Sequence, residues 1–118
     1  MNFENGYIIT VKTNAEFLNA TFETAYKQWY KSTYNLNKDI VVWYINIDSM
    51  ERQGYRNYIK DGCIIEESNS KPTRSSRPIR MVFQILKYKN MKKFVYLGKY
   101  KMDILKSTKS KRVFVPCD

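Results

Sequence analysis

Histidine is absent from this 118-residue chain. That removes acid–base and nucleophilic schemes built on imidazole, including histidine-dependent nucleases, deaminases and Ser/Cys–His triads. Cysteine is nearly absent too: Cys63 and Cys117 stand far apart, so no cysteine–histidine zinc site can be assembled. Only four glycines occur, all scattered, and none forms a phosphate-cradling loop. No apolar run approaches membrane-spanning length, and Met1-Asn2-Phe3-Glu4 has neither a basic n-region nor an apolar h-region. The expectation is a reducing, cytoplasmic setting with no membrane, cofactor or metal.

Acidic residues are scarce in one place in particular. Residues 71–118 carry 14 Lys/Arg against Asp103 and Asp118, a net charge of +12, whereas residues 1–70 sum to −2. The whole excess of the chain, +10, therefore belongs to its C-terminal part. Such asymmetry is the footprint of a polyanion-binding face, with a lysine-rich solubility surface as the plainer reading. What fills the interior is ample: 43% hydrophobic residues, 15% aromatic, with ten tyrosines. At this length one domain, residues 1–118, is expected.

Tyr7 to Val11 reads as a first strand. Thr13 and Glu16 stand at capping-box spacing, and Leu18, Phe22, Ala25 and Trp29 follow at helical intervals, which predicts a helix over 14–31. Asn35 and Asn37 mark a polar loop. The nearly continuous apolar run Ile40–Ile47 suits a strand covered on both faces, and Asp61-Gly62 signals a tight hairpin between 58 and 65. Two long strands, 79–88 and 93–104, turn at 89–92, and a short strand at 112–115 closes the sequence. The predicted fold class is α+β: one N-terminal helix packed on a mixed, mostly antiparallel sheet, with a barrel-like form among its options.

Two basic constellations stand out. The first is a loop in which Lys71, Arg74, Arg77 and Arg80 lie among prolines and hydroxyl residues, an arrangement suited to phosphate clamping and to bidentate reading of guanine. The second is the hairpin carrying Lys87, Lys89, Lys92, Lys93, Lys99 and Lys101, joined by Lys109, Lys111 and Arg112 from the last turn. By the two-residue period, Lys93, Lys99 and Lys101 share one parity and Phe94, Tyr96, Tyr100 and Met102 the other. Lysines guarding a sheet edge against aggregation are the alternative. Tyr55 and Tyr58 beside Arg52 and Arg56 offer a stacking surface or binding rim, while Trp43 reads as core. Glu66-Glu67, with Asp48 or Asp61, is the one carboxylate group able to suggest a magnesium-dependent nuclease, but the Glu-x-Lys spacing of many such enzymes is missing.

From about Gly54 onward the chain resembles the small PUA-like modules of the SRA, EVE and ASCH kind, found in restriction and RNA-modification systems. The resemblance rests on the hairpin Tyr58-Ile59-Lys60-Asp61-Gly62-Cys63-Ile64-Ile65-Glu66, on Arg80-Met81-Val82-Phe83, on Phe94-Val95-Tyr96-Leu97-Gly98-Lys99-Tyr100, and on Lys111-Arg112-Val113-Phe114. It implies a compact β-barrel that grips nucleic acid through basic loops and sometimes pockets a flipped base. Residues for a modified-base pocket have no match, and the N-terminal helix lies outside the likeness. The leading expectation is a non-enzymatic protein that binds DNA or RNA. One alternative is an inhibitor of phage or mobile-element origin that occupies the nucleic-acid groove of a host defence complex (CRISPR or restriction). The metal-dependent nuclease is the second.

Overall fold

The computed structural model describes residues 3–47, 55–68 and 78–117. Its centre is β3 (Ile40–Ile45), whose residues Val41 to Ile45 are all buried. Side chains on both faces of a strand are buried only if something covers each face. Val42 and Tyr44 join one core with Phe17, Leu18, Phe22, Met81, Phe83, Ile85, Phe94 and Tyr96. Trp43 and Ile45 join a second core with Ile64, Val82, Tyr100 and Phe114.

Around β3 the chain builds β1 (Ile8–Val11), α1 (Asn14–Phe22), β2 (Thr33–Asn35), β4 (Tyr55–Lys60), β5 (Cys63–Ser68), β6 (Ile79–Tyr88), β7 (Met91–Met102) and β8 (Lys111–Cys117). The strands form one sheet in the order β2-β3-β6-β7-β8-β5-β4, with β1 added on β7. Among the ladders of the described residues, β3 and β6 run parallel and the others are antiparallel. Strands take up 55% of the described residues and the helix 9%, so the α+β expectation gives way to a fold dominated by sheet.

The barrel-like option is also overturned: the sheet is open. Closure would need β4 to pair with β2, the strand at the other end of the order, and no such ladder occurs among the described residues. Beyond the end of β3, an isolated parallel bridge joins Ile47 to Asn57.

The helix is shorter than its apolar spacing predicts. Thr13 caps it by accepting from the Glu16 N–H at 3.1 Å, and Glu16 accepts from the Lys12 N–H at 3.0 Å. It ends at Phe22 because the Asn19 amide offers residues 24–26 a better partner than the next helical turn. Asn19 Oδ1 accepts from the Tyr26 N–H (2.8 Å) and the Thr24 hydroxyl (2.7 Å), while its Nδ2 donates to the Tyr26 carbonyl (2.8 Å). A side chain that mimics a strand partner in this way competes directly with helix propagation. Glu23 then turns left-handed, at φ 58°. Trp29 therefore sits outside the helix, donating to the Thr33 carbonyl at 3.2 Å, and Tyr44 Oη donates to the Lys31 carbonyl. The helix still buries its apolar face: Phe17 stacks on Phe94 at 4.0 Å and meets Phe83 at 4.9 Å.

One irregularity in β7 decides where the later side chains point. Val82 pairs with Gly98 but Phe83 pairs with Tyr96, so Leu97 is an extra residue. A bulge of this kind bends its strand and reverses the alternation beyond it. Phe94 and Tyr96 accordingly lie in the core beneath α1, whereas Tyr100 lies in the core on the other face. Gly98 takes φ 124°, a conformation that glycine tolerates and bulkier residues resist.

Candidate nucleic-acid interface

Most of the exposed lysines of the C-terminal part gather at the two far ends of β7. At one end is the β6–β7 turn, where Lys89 adopts φ 54°. Lys87 and Lys92 are direct cross-strand partners there, and Lys93 faces Leu86. Lys92 donates to Asn14 Oδ1 at 3.2 Å. Partial burial and, second, the neighbouring Lys87 charge lower its pKa. These are the features of a lysine already committed to packing and repelled by its neighbour.

At the other end, β7 passes into β8 through residues 103–110. Lys101, Lys106, Lys109 and Lys111 are all exposed there. Lys101 lies opposite Val115 and shares its face with Lys111, four residues along β8, about 13 Å away. The flanks of the arginine segment are at the same end. The Ser68 N–H donates to the Ser110 carbonyl at 2.9 Å, and Arg80, two residues after Pro78, pairs with Tyr100. Lys71, Arg74 and Arg77 themselves lie outside the described residues, as do Asp48 and Arg52. From Lys92 to Lys99 the strand runs about 23 Å. The hairpin lysines and the last-turn lysines thus make two clusters where the sequence suggested one. Because of the bulge, Lys93 faces away from α1 while Lys99, opposite Met81, is on the α1 side.

Two of the candidate arginines point inward. Arg80 is 9% exposed, and its guanidinium lies 4.4 Å from the ring centroids of both Trp43 and Phe114. A desolvated guanidinium between two aromatic faces gains about 2 kcal/mol or more from the ring quadrupoles. Burial lowers its pKa, and the nearby Glu66 carboxylate acts against that shift. Arg112, 3% exposed, donates from Nε to Glu66 Oε1 at 2.6 Å and from Nη1 to the Lys109 carbonyl at 3.2 Å. Asn57, Glu66 and Arg112 are register partners across β4, β5 and β8, which forms a buried polar row. Asn57 Oδ1 and Arg112 Nη2 in that row have no hydrogen-bond partner among the described residues.

The same contacts account for the carboxylate pair. Glu66 is held by Arg112, and Glu67 accepts from the Tyr58 hydroxyl at 2.6 Å. That bond is the chief reason the Tyr58 phenol is raised above its ordinary pKa. Among the described residues, no group of three His, Cys, Asp or Glu side chains could hold a metal ion. Arg56 is exposed, with its guanidinium 5.0 Å from the Tyr58 ring centroid, and Tyr55 opens β4. Among the described residues, no helix is long and apolar enough to cross a membrane.

Sequence reasoning counted Lys106 in a basic turn without naming it a site residue, and passed over Ile104 and Leu105. The last two are 81% and 97% exposed at the tip of the β7–β8 loop. Two adjacent aliphatic residues inside a lysine-rich turn are the signal that was there to read. A cleft of about 310 Å³ lies where β1 and β8 leave β7 uncovered, lined by Asn5, Tyr96, Gly98, Tyr100 and their neighbours.

No known family profile matches the chain, and no curated protein matches it in sequence. Among solved structures, it is similar to the 5-hydroxymethylcytosine-specific restriction enzyme AbaSI, with a TM-score of 0.69 and 19% identity. The match takes in 93% of this chain and 38% of that enzyme. The likeness is one of fold, and it spans nearly the whole chain, where the resemblance read from the sequence began at about Gly54.

Proposed function

We propose that this chain is a DNA-binding module whose phosphate contacts centre on the β7–β8 loop. The observation carrying this reading is the gathering of Lys101, Lys106, Lys109 and Lys111 around one loop, beside both flanks of the segment bearing Lys71, Arg74 and Arg77. Four exposed lysines around one loop, in a segment whose residues 71–118 carry a net charge of +12, suit a polyanion better than a small anion. The shared fold with part of a 5-hydroxymethylcytosine-specific restriction enzyme favours DNA over RNA, and it extends the proposal to duplexes carrying that base. A binding role is favoured over cleavage because Glu66 and Glu67 are already engaged by Arg112 and Tyr58.

The test is fluorescence polarisation with duplex DNA containing cytosine, 5-methylcytosine or 5-hydroxymethylcytosine, with single-stranded DNA and with RNA, each at 50 and 200 mM salt. Four phosphate contacts from the loop lysines alone give a slope near −3.6 in log K against log salt, about a 150-fold loss of affinity over that range. Tighter binding to the 5-hydroxymethylcytosine duplex is expected. Undetectable binding at low salt, or binding indifferent to salt, removes the proposal.

A further inference from the structure

The β7–β8 loop shows its two largest aliphatic side chains to solvent. Single exposed apolar residues are ordinary on protein surfaces. Ile104 and Leu105 differ in being adjacent and at a loop tip, at 81% and 97% exposure. The loop is also fixed from within. Asp103 Oδ1 accepts from the N–H groups of Leu105 (3.1 Å) and Lys106 (3.3 Å). Ser107 Oγ donates to the Asp103 carbonyl at 2.7 Å and accepts from the Val113 N–H at 2.9 Å. On the returning side, the Thr108 N–H donates to the Lys111 carbonyl at 2.7 Å. The ordering entropy of such a tip is already spent on folding, so burying it on a partner costs little further freedom.

Charge says what that partner is. Lys101, Lys106, Lys109 and Lys111 are exposed within the loop or at its two ends, and Asp103, next to Ile104 in the chain, is occupied by the loop's own N–H groups. A partner must therefore present negative charge around an apolar slot. Duplex DNA does this at every base step, with phosphates flanking stacked bases, and aliphatic wedges inserted between steps are a known way to unstack and kink a duplex.

We propose that Ile104 and Leu105 form a wedge that enters a base step of DNA while the surrounding lysines hold the phosphates. This rests on the DNA-binding reading above and gives the same loop a second task, deforming the duplex it grips. Burial of two such side chains corresponds to on the order of 100- to 10,000-fold in affinity, and the cost of unstacking a step reduces this to about 10- to 100-fold. Flexible pyrimidine–purine steps are the easiest to open.

The experiment uses the full chain and duplexes with 2-aminopurine placed at TA and CA steps. Wild-type protein is expected to raise 2-aminopurine fluorescence several-fold at saturation. The double variant Ile104→Ser/Leu105→Ser should keep its melting temperature and salt slope, bind about tenfold more weakly, and lose the fluorescence rise. Binding by both proteins with equal affinity and no fluorescence change overturns the wedge and leaves the DNA-binding reading standing. No binding by either overturns both. A third arm adds vesicles containing phosphatidylserine to Leu105→Trp. A blue-shifted tryptophan with vesicles and an unchanged spectrum with DNA assigns the tip to a lipid surface and overturns the proposal.

Discussion

Replacing Glu66 by Gln removes one charge from the buried row of Asn57, Glu66 and Arg112 without changing its volume much. Glu66 sits 2.6 Å from Arg112 Nε, with side-chain exposures of 11% and 4%, and it is the acid nearest the buried Arg80. The wild-type cluster holds two guanidiniums against one carboxylate. Glu66→Gln leaves both cations desolvated with no counter-charge, and breaking a buried pair in this way costs about 3–5 kcal/mol. For a chain of this length about 4 °C of melting temperature accompanies each kcal/mol, so the midpoint should fall by about 12–20 °C. Urea denaturation followed by far-UV circular dichroism should show a lower midpoint at an unchanged slope. Pairing Glu66→Gln with Arg112→Met should recover most of the loss, since removing both members of a buried pair is far less costly than removing one. A single variant within about 2 °C of wild type would refute the reasoning and mean that water reaches the row.

Three other outcomes follow from particular contacts. Burial raises the phenol pKa values of Tyr44, Tyr96 and Tyr100 above the ordinary 10.0. Their contribution to stability is thus complete below pH 10 and is lost as the pH climbs past the unfolded value, so absorbance titration at 295 nm should show late-ionising tyrosines that titrate together with unfolding. Asn19→Ala abolishes three hydrogen bonds holding residues 24–26 and should cost about 1–2 kcal/mol by urea denaturation, with Asn19→Asp intermediate because it keeps the acceptor. Gly98→Ala forces a side chain into φ 124° with Asn5 Oδ1 3.4 Å from the new Cβ, and about 1–3 kcal/mol of stability should go.

Much of the sheet was legible because burial leaves a mark on alternation. The unbroken apolar run before Ile45, the Asp61-Gly62 turn (φ 52° and 77°) and the long 79–102 hairpin all appear where the pattern puts them. The helix was overextended because an apolar periodicity of 3.6 cannot report what Asn19 does with its amide. β2 escaped notice because Thr33–Asn35 is short, polar and held mostly by its neighbour. The basic face was legible in sum but not in placement. A charge count treats Arg80 and Arg112 like Lys109, although two aromatic rings and a carboxylate draw them inside. The Leu97 bulge, invisible in composition, then separates lysines that the two-residue period puts on one face.

The most direct test of the account compares two lysine groups on one duplex. Changing Lys101, Lys106, Lys109 and Lys111 together to Gln should reduce the salt slope by about 3.6 and weaken binding at 50 mM salt by at least 100-fold, whereas changing Lys87, Lys89 and Lys93 should leave the slope within about one unit of wild type. Equal losses from the two variants, or a larger loss from the hairpin group, would contradict the assignment of DNA contact to the β7–β8 loop.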